Sequence, residues 1–408
     1  MSTHEAPIHL TIGLVILASL ILHRVARLLG QPPLVGDMLA GLLVGVALNL
    51  MGTLFFDASN SLATTTAASL EDLGTIGLVF IVVNALFHAP KNDAESGGIS
   101  NTRAVLAVTL TNCLPALLIG GWLAVKYASA HELSATPAFI ILIGVSMSVS
   151  AVPVLAGILV ELKLQTSRVG GLAFRAACWT DVIGWILVGL ALSLHQNADS
   201  SYFILTRLLL VGAMFATLMA IKYGIVRQWF GAASSSQIVL IALLVSSSLT
   251  HLASLHVVFG AFLVGSVFAS DKDIRESWLK ATSWITDRFF CPLFFAIAGM
   301  KLLSSDDFAL SELGWGTAFL ALCIGSKLIP LMIAGRWIGL SRPESLLLGL
   351  LLNTRGLMEL VILSVGLSSG IFSPVQYSIF VMVTVATTLM STPLSRLVQR
   401  RLEPSKDT

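Results

Sequence analysis

Apolar residues in this chain fall in long blocks, and the short connections between them carry most of the charge. A helix that crosses roughly 30 Å of hydrocarbon needs about twenty mostly apolar residues. Thirteen blocks qualify, at residues 8–29, 33–51, 69–88, 102–125, 136–161, 168–194, 202–222, 234–253, 255–270, 287–303, 312–335, 343–368 and 374–395, of which the ninth is short. The pattern predicts an all-α polytopic membrane protein. The first block, from Ile8 to Leu29, has no basic stretch before it and no small-residue cleavage site after it, so it reads as a retained helix rather than a signal peptide.

Composition agrees: 56% of the 408 residues are hydrophobic and 11% charged, against about 25% charged in soluble domains. A net charge of +2 supports no global attraction to nucleic acid or to an acidic partner. Cys113, Cys178, Cys291 and Cys323 each stand alone in an apolar run, without zinc-site or disulfide spacing, and read as packing residues.

Where the basic residues sit is more informative. Of 24 lysines and arginines, 18 fall in one alternate set of connections, including Arg24, Lys91, Lys163, Arg227, Lys272, Arg342 and the tail to Lys406. The opposite set holds only Lys126 and Lys301. Lys and Arg are retained on the cytoplasmic side, so the expected placement is multi-pass in the cell (inner) membrane, N-terminus outside and C-terminus cytoplasmic. The remaining four, Arg175, Arg207, Lys327 and Arg355, lie inside spans. Each costs about 2.5–3.5 kcal/mol at a helix centre on insertion scales, so partners or a water-filled cavity are expected around them. Arg175 and Arg207 lie toward span ends and read as structural.

About a dozen residues follow Leu394, which gives a domain reading of one transmembrane domain over 1–398 and a short cytoplasmic tail over 399–408. Nucleotide-binding, kinase, hydrolase and H-E-x-x-H signatures are missing, so neither an enzyme nor a bound cofactor is expected.

The two halves carry a weak echo of each other. Gly36-Asp-Met-Leu-Ala-Gly-Leu-Leu-Val-Gly45 in the second span resembles Gly260-Ala-Phe-Leu-Val-Gly265 in the ninth, seven spans later and therefore inverted. The same offset joins the fifth and twelfth spans, and both are interrupted. Ser146-Met-Ser-Val-Ser-Ala-Val-Pro153 puts hydroxyls and a helix-breaking proline halfway along the fifth. Asn353-Thr-Arg-Gly356 puts a polar tetrad halfway along the twelfth. Two broken helices at matching positions of an inverted repeat are the best sequence pointer to a transporter's substrate site.

Asp181 lies about thirteen residues, or roughly 20 Å at 1.5 Å per residue, into the sixth span. Counted the same way, Ser148, Lys327 and Arg355 approach the same depth. A buried carboxylate close to cations is suited to alternate between a proton and a transported monovalent cation, with Thr180, Ser148, Ser150 and freed carbonyls completing an oxygen shell. Asp181 is thus the candidate cation ligand, with Lys327, Arg355 and Glu359 as charge partners in the core. The plainer alternative is an inert Asp181–Lys327 pair between helices. Glu359 follows Arg355 by one turn, which predicts an internal pair. Asp37, Glu71 and Asp72 flank spans and read as helix caps or a vestibule lining. His251 and His256 lie five apart, the wrong spacing for one helical face.

Taken in order, these segments resemble one family. Gln31-Pro-Pro-Leu-Val-Gly-Asp-Met-Leu-Ala-Gly-Leu-Leu-Val-Gly45, Ser150-Ala-Val-Pro-Val-Leu155, Glu161-Leu-Lys-Leu164, Thr180-Asp181, Gly260-Ala-Phe-Leu-Val-Gly265, Pro292-Leu-Phe-Phe-Ala-Ile-Ala-Gly-Met300 and Asn353-Thr-Arg-Gly-Leu-Met-Glu-Leu360 are similar to the second branch of the monovalent cation:proton antiporters. That branch holds the Kef-type and NapA-type transmembrane domains and the plant CHX proteins. The resemblance implies an NhaA/NapA-like fold of about thirteen helices in inverted repeats with two discontinuous core helices. It also implies a homodimer, exchange of K+ or Na+ for H+ in pH homeostasis, and Asp181 as the ion-binding aspartate. Lys327 matches a lysine that in sodium exporters pairs with a second, preceding aspartate. Here Thr180 holds that position, which leaves one titratable acid in the span and points to electroneutral exchange. The third span departs from the family's usual Phe-x-x-Gly-Leu-Glu, reading Val82-Val-Asn-Ala-Leu-Phe87. A cation channel or uniporter and a non-transporting membrane sensor are the alternative functions; the inverted broken helices favour alternating access over a pore.

Overall fold

A computed structural model describes residues 8–55, 61–88, 102–195, 201–222, 235–252, 256–302 and 310–402. Lys91, Arg227, Lys406 and the side chain of Arg207 lie outside the described residues. In chain order the helices are α1 (Ile8–Leu28), α2 (Pro33–Phe55), α3 (Ser61–Phe87), α4 (Thr102–Ala130), α5 (Pro137–Ser148), α6 (Val152–Glu161), α7 (Arg168–His195) and α8 (Ser201–Ala220). They continue with α9 (Ser235–Leu252), α10 (Val257–Phe268), α11 (Lys272–Ile285), a π-helical turn at Thr286–Phe290 and α12 (Cys291–Met300). The last are α13 (Leu310–Trp337), α14 (Arg342–Leu352), α15 (Leu357–Ser368) and α16 (Pro374–Arg400).

Every predicted block falls on helix. Among the described residues, nine segments are long and apolar enough to cross a membrane, with α5–α6 and α14–α15 each forming one interrupted span. The eighth and ninth blocks are shorter apolar helices, as is part of the seventh, and the tenth coincides with the π-turn and α12. One connection expected as plain loop is helical instead. α11 is too polar for a span, but Ile274, Trp278 and Thr282 recur every four residues and are its buried side chains. Asp271 caps it, its carboxylate accepting from the backbone N–H of Asp273 and Ile274 at 3.1 and 3.3 Å.

The chain divides into two compact units. The first comprises Met1–His23, Asp37–Lys91 and Asn197–Lys301. Helices in lipid gain little from apolar contact alone, so they associate through close backbone approach and interhelical hydrogen bonds. The glycines of the second span serve the first purpose. A Cβ on Gly45 would fall 2.1 Å from Ala296 O, and one on Gly299 2.4 Å from Leu42 O, so α2 and α12 meet backbone to backbone. Asn84 serves the second. Its Oδ1 accepts from Trp278 Nε1 at 2.6 Å and Thr282 Oγ1 at 3.1 Å, pinning amphipathic α11 to α3. Phe80 stacks on Trp278 with ring centroids 5.6 Å apart. The family departure at Asn84 thus has a structural use.

Other flanking residues resolve within this unit. Asp37 is no helix cap; it is buried, accepting from Ser19 Oγ at 2.6 Å and facing His23 Nδ1 at 3.4 Å. Glu71 pairs with Lys301 at 2.8 Å, and His256 caps α10 through its ring.

The second unit comprises Arg24–Gly36, Asn92–Gln196 and Leu302–Thr408. Here α4 and α5 also meet at glycines, since a Cβ on Gly120 would lie 2.8 Å from Gly144 Cα. Thr136 caps α5, and capping boxes at Ser341/Glu344 and Ser373/Gln376 start α14 and α16. Arg175 turns back along its own helix to the Gly171 carbonyl at 3.2 Å. All the candidate site residues belong to this unit.

Candidate functional site

The site is made by the two helix interruptions. α5 stops at Ser148 and α6 starts at Val152, with Pro153 in its first turn. A proline has no N–H to return to the carbonyl four residues earlier and crowds it sterically. That carbonyl is Val149 O, and it accepts instead from Lys327 Nζ at 2.7 Å. The second break lies between Leu352 and Leu357. Gly356 takes φ 149° and ψ −128°, a region open only to glycine. The freed Leu352 carbonyl accepts from Ser150 Oγ at 2.6 Å and from Lys327 Nζ at 3.3 Å. Ala151 N–H donates to Thr354 O at 3.0 Å, so the two breaks are bonded to each other.

Lys327, on α13, is fully buried, and its third bond is to Ser150 Oγ at 2.9 Å. Its ammonium therefore lies at the C-terminal ends of α5 and α14, where helix dipoles present partial negative charge. Carbonyls and a hydroxyl take the place of a carboxylate partner. Lys327 makes no ion pair with Asp181; its bonds go to Val149 O, Ser150 Oγ and Leu352 O.

Asp181 and Thr180 lie side by side on α7, both buried. Asp181 Oδ1 has no hydrogen-bond partner among the described residues. A buried carboxylate oxygen left open is costly; Glu359 Oε2 is open as well, but its carboxylate is paired with Arg355 through Oε1. Thr180 Oγ1 donates to Ala176 O at 2.8 Å and accepts from Asn112 Nδ2 at 3.1 Å. Asn112 Nδ2 also donates to Ser150 Oγ at 3.2 Å. Sequence reasoning missed Asn112. The signal was there: an uncharged amide in the middle of an apolar span, which needs a polar partner in lipid.

Arg355 and Glu359 form the predicted pair at 2.8 Å, both buried. Arg355 is nonetheless not in the helix that carries Glu359. It sits in the break, and its guanidinium reaches the C-terminus of α5, donating to Ser146 O and, at 2.7 Å, to Met147 O. Thr388 Oγ1 on α16 donates to Arg355 O at 2.9 Å. The structure thus gathers Ser150, Thr180 and Lys327 around Asn112, beside Asp181. Ser148 turns elsewhere, donating to Val145 O of its own helix at 3.1 Å. Arg355 and Glu359 brace the crossing through α5 carbonyls. The assembly offers an open oxygen on a carboxylate with no ion pair among the described residues, that of Asp181, hydroxyls of Ser150 and Thr180 whose protons are committed, and two cations held by carbonyls.

Known proteins resemble this chain along most of its length. The family model "Sodium/hydrogen exchanger, transmembrane" matches residues 13–399. Cation/H(+) antiporter 17 of Arabidopsis thaliana is 30% identical over 398 residues, covering 94% of this chain and 47% of its own length. The chain thus spans about half of that plant relative. The Na(+)/H(+) antiporter NhaS4 of Synechocystis sp. is 29% identical over 406 residues, covering 93% of this chain and 96% of its own. Among solved structures, the sodium proton antiporter MjNhaP1 of Methanocaldococcus jannaschii superposes with a TM-score of 0.59 at 17% identity, covering 96% of both chains. That likeness establishes a shared all-helical fold.

Proposed function

Because the chain belongs to the sodium/hydrogen exchanger transmembrane family, we propose that it exchanges a monovalent cation, K+ or Na+, for H+ across a membrane, with Asp181 as the shared binding group. The observation that carries this reading is the open Oδ1 of buried Asp181, beside two helix breaks whose freed carbonyls, at Val149 and Leu352, are already bonded. Proton and cation compete for that carboxylate. Thr180 and Ser150 supply neutral oxygen, and Asn112 holds both hydroxyls in register. Lys327 repels an incoming cation until Asp181 is deprotonated, and its carbonyl cradle lets it remain charged without a second acid.

One acid in the sixth span means that one proton leaves as one cation binds, so the cycle is electroneutral. The basic connections support an N-terminus outside and a C-terminus in the cytoplasm of a cell membrane. Relatives named as cation/H(+) and Na(+)/H(+) antiporters support the substrate class, and the family resemblance supports a homodimer.

The test is reconstitution into proteoliposomes under an imposed pH gradient, adding each alkali cation in turn, for the wild type and Asp181→Asn. The isostere fills the same volume but cannot trade a proton for a cation, so cation-dependent proton flux is expected to vanish while the protein still inserts. Wild-type flux in Asp181→Asn sinks the assignment. Clamping the potential separates stoichiometries, since one net charge moved is worth about 2.3 kcal/mol per 100 mV. A strong voltage dependence rejects electroneutrality, and a steady ion current uncoupled from pH identifies a channel.

A further inference from the structure

Away from the crossing, the second unit holds another cluster of ionisable groups with no part in the scheme above. It lies where α4 ends and α13 begins. His131 Nδ1 is 2.9 Å from Tyr127 O, and His131 Nε2 is 2.8 Å from Glu312 Oε1. The second carboxylate oxygen, Oε2, accepts from Tyr127 Oη at 3.1 Å. The Tyr127 ring stacks on the imidazole with centroids 4.1 Å apart, and Trp315 packs edge-on to Tyr127 at 5.2 Å. Glu312 and Tyr127 are buried.

Counting protons decides what this arrangement holds. A carbonyl oxygen only accepts, so Nδ1 must carry a hydrogen. An ionised carboxylate also only accepts, so Nε2 must carry one too. A neutral imidazole has a single N–H and cannot satisfy both contacts. We propose that His131 and Glu312 form a second proton-binding site, which takes up one proton between them and thereby fastens the end of α4 to the start of α13.

With the proton present the pair is imidazolium against carboxylate, and both bonds are made. Without it, a ring lone pair faces a carboxylate oxygen and the contact turns repulsive. Tyr127 cannot substitute, since its hydroxyl is already committed to the other oxygen. The surrounding elements add little charge. On the α4 side, Lys126 and Glu132 are exposed; α5 has no ionisable residue; α7 ends in exposed His195; and α16 offers Gln376, which is neutral.

The position gives the site a lever on the crossing. α4 carries Asn112 and α13 carries Lys327, each fifteen residues from Tyr127 or Glu312, which is about 22 Å of helix. The proton therefore joins the two helices that carry the cradle's amide and its ammonium. This inference stands apart from the exchange reading, because its readouts are protonation and stability rather than flux.

Two measurements on the intact protein in detergent test it. In 15N-histidine-labelled wild type, NMR is expected to show a ring with both nitrogens protonated. The signal should disappear in His131→Gln and change in Glu312→Gln. In parallel, thermal midpoints are compared at pH 6 and pH 9. His131→Gln should lower the midpoint more at pH 6 than at pH 9, and the double variant with Glu312→Gln should lose little beyond either single one. A neutral ring at all pH values, an equal midpoint loss at both pH values, or additive single losses would each overturn the proposal.

Discussion

Replacing Arg355 with Met removes three donated bonds, to Glu359 Oε1 at 2.8 Å, to Met147 O at 2.7 Å and to Ser146 O. Bonds to charged groups are worth about 1.5–3 kcal/mol each, so a bare sum runs to roughly 5–9 kcal/mol. Relief of the buried arginine's own desolvation offsets part of that, and truncating one member of a buried pair typically costs about 3–5 kcal/mol. The partners are unequal. Without Arg355, buried Glu359 loses its ion-pair partner and two carbonyls at the end of α5 lose their donor. Without Glu359, Arg355 keeps both carbonyls, which sit at the negative end of a helix dipole. Glu359→Gln, which retains an acceptor, is therefore expected to cost about 1–2 kcal/mol. The double variant should be more stable than the sum of the singles predicts by about 1–3 kcal/mol. Denaturant titration in detergent, followed by tryptophan fluorescence, measures all four corners of the cycle. Equal losses for the two single variants, or strict additivity, would refute the claim that Arg355 braces the crossing through α5.

Two further substitutions test the first unit. Asn84→Leu keeps the volume but leaves Trp278 Nε1 and Thr282 Oγ1 without their common acceptor; a loss of about 1–3 kcal/mol is expected, with faster amide exchange confined to α11, and unchanged exchange there would mean Asn84 does not hold that helix. Gly45→Leu drives a side chain into the Ala296 carbonyl, so α2 and α12 must separate and the midpoint should fall by several degrees, whereas Gly13→Leu, where a Cβ meets nothing within 4 Å, should leave it unchanged; similar midpoints for the two would contradict the close approach.

The helical blocks and both interruptions were legible in the residue pattern, because lipid imposes one rule everywhere: every backbone polar group within the hydrocarbon must be paired. Long apolar runs therefore mean helices, and a proline or a polar tetrad inside one means a break that something else must satisfy. The i, i+4 pair of Arg355 and Glu359 could be counted off the chain for the same local reason. What satisfies each break could not. That Lys327 takes the carbonyl released by Pro153, that Arg355 reaches back to α5, and that Asn112 joins Thr180 to Ser150 all depend on residues 38 to 209 positions apart being brought together. The pairing of Lys327 with carbonyls rather than with Asp181 is a matter of a few ångströms, set by where α13 crosses the paired breaks. Helix α11 escaped notice because its polarity argues against a span, while its three buried positions acquire meaning only once α3 lies beside them. Local sequence sets which groups must find partners in lipid; tertiary packing decides which partners they find, because each bond requires a donor within about 3 Å and only the folded chain brings one that close.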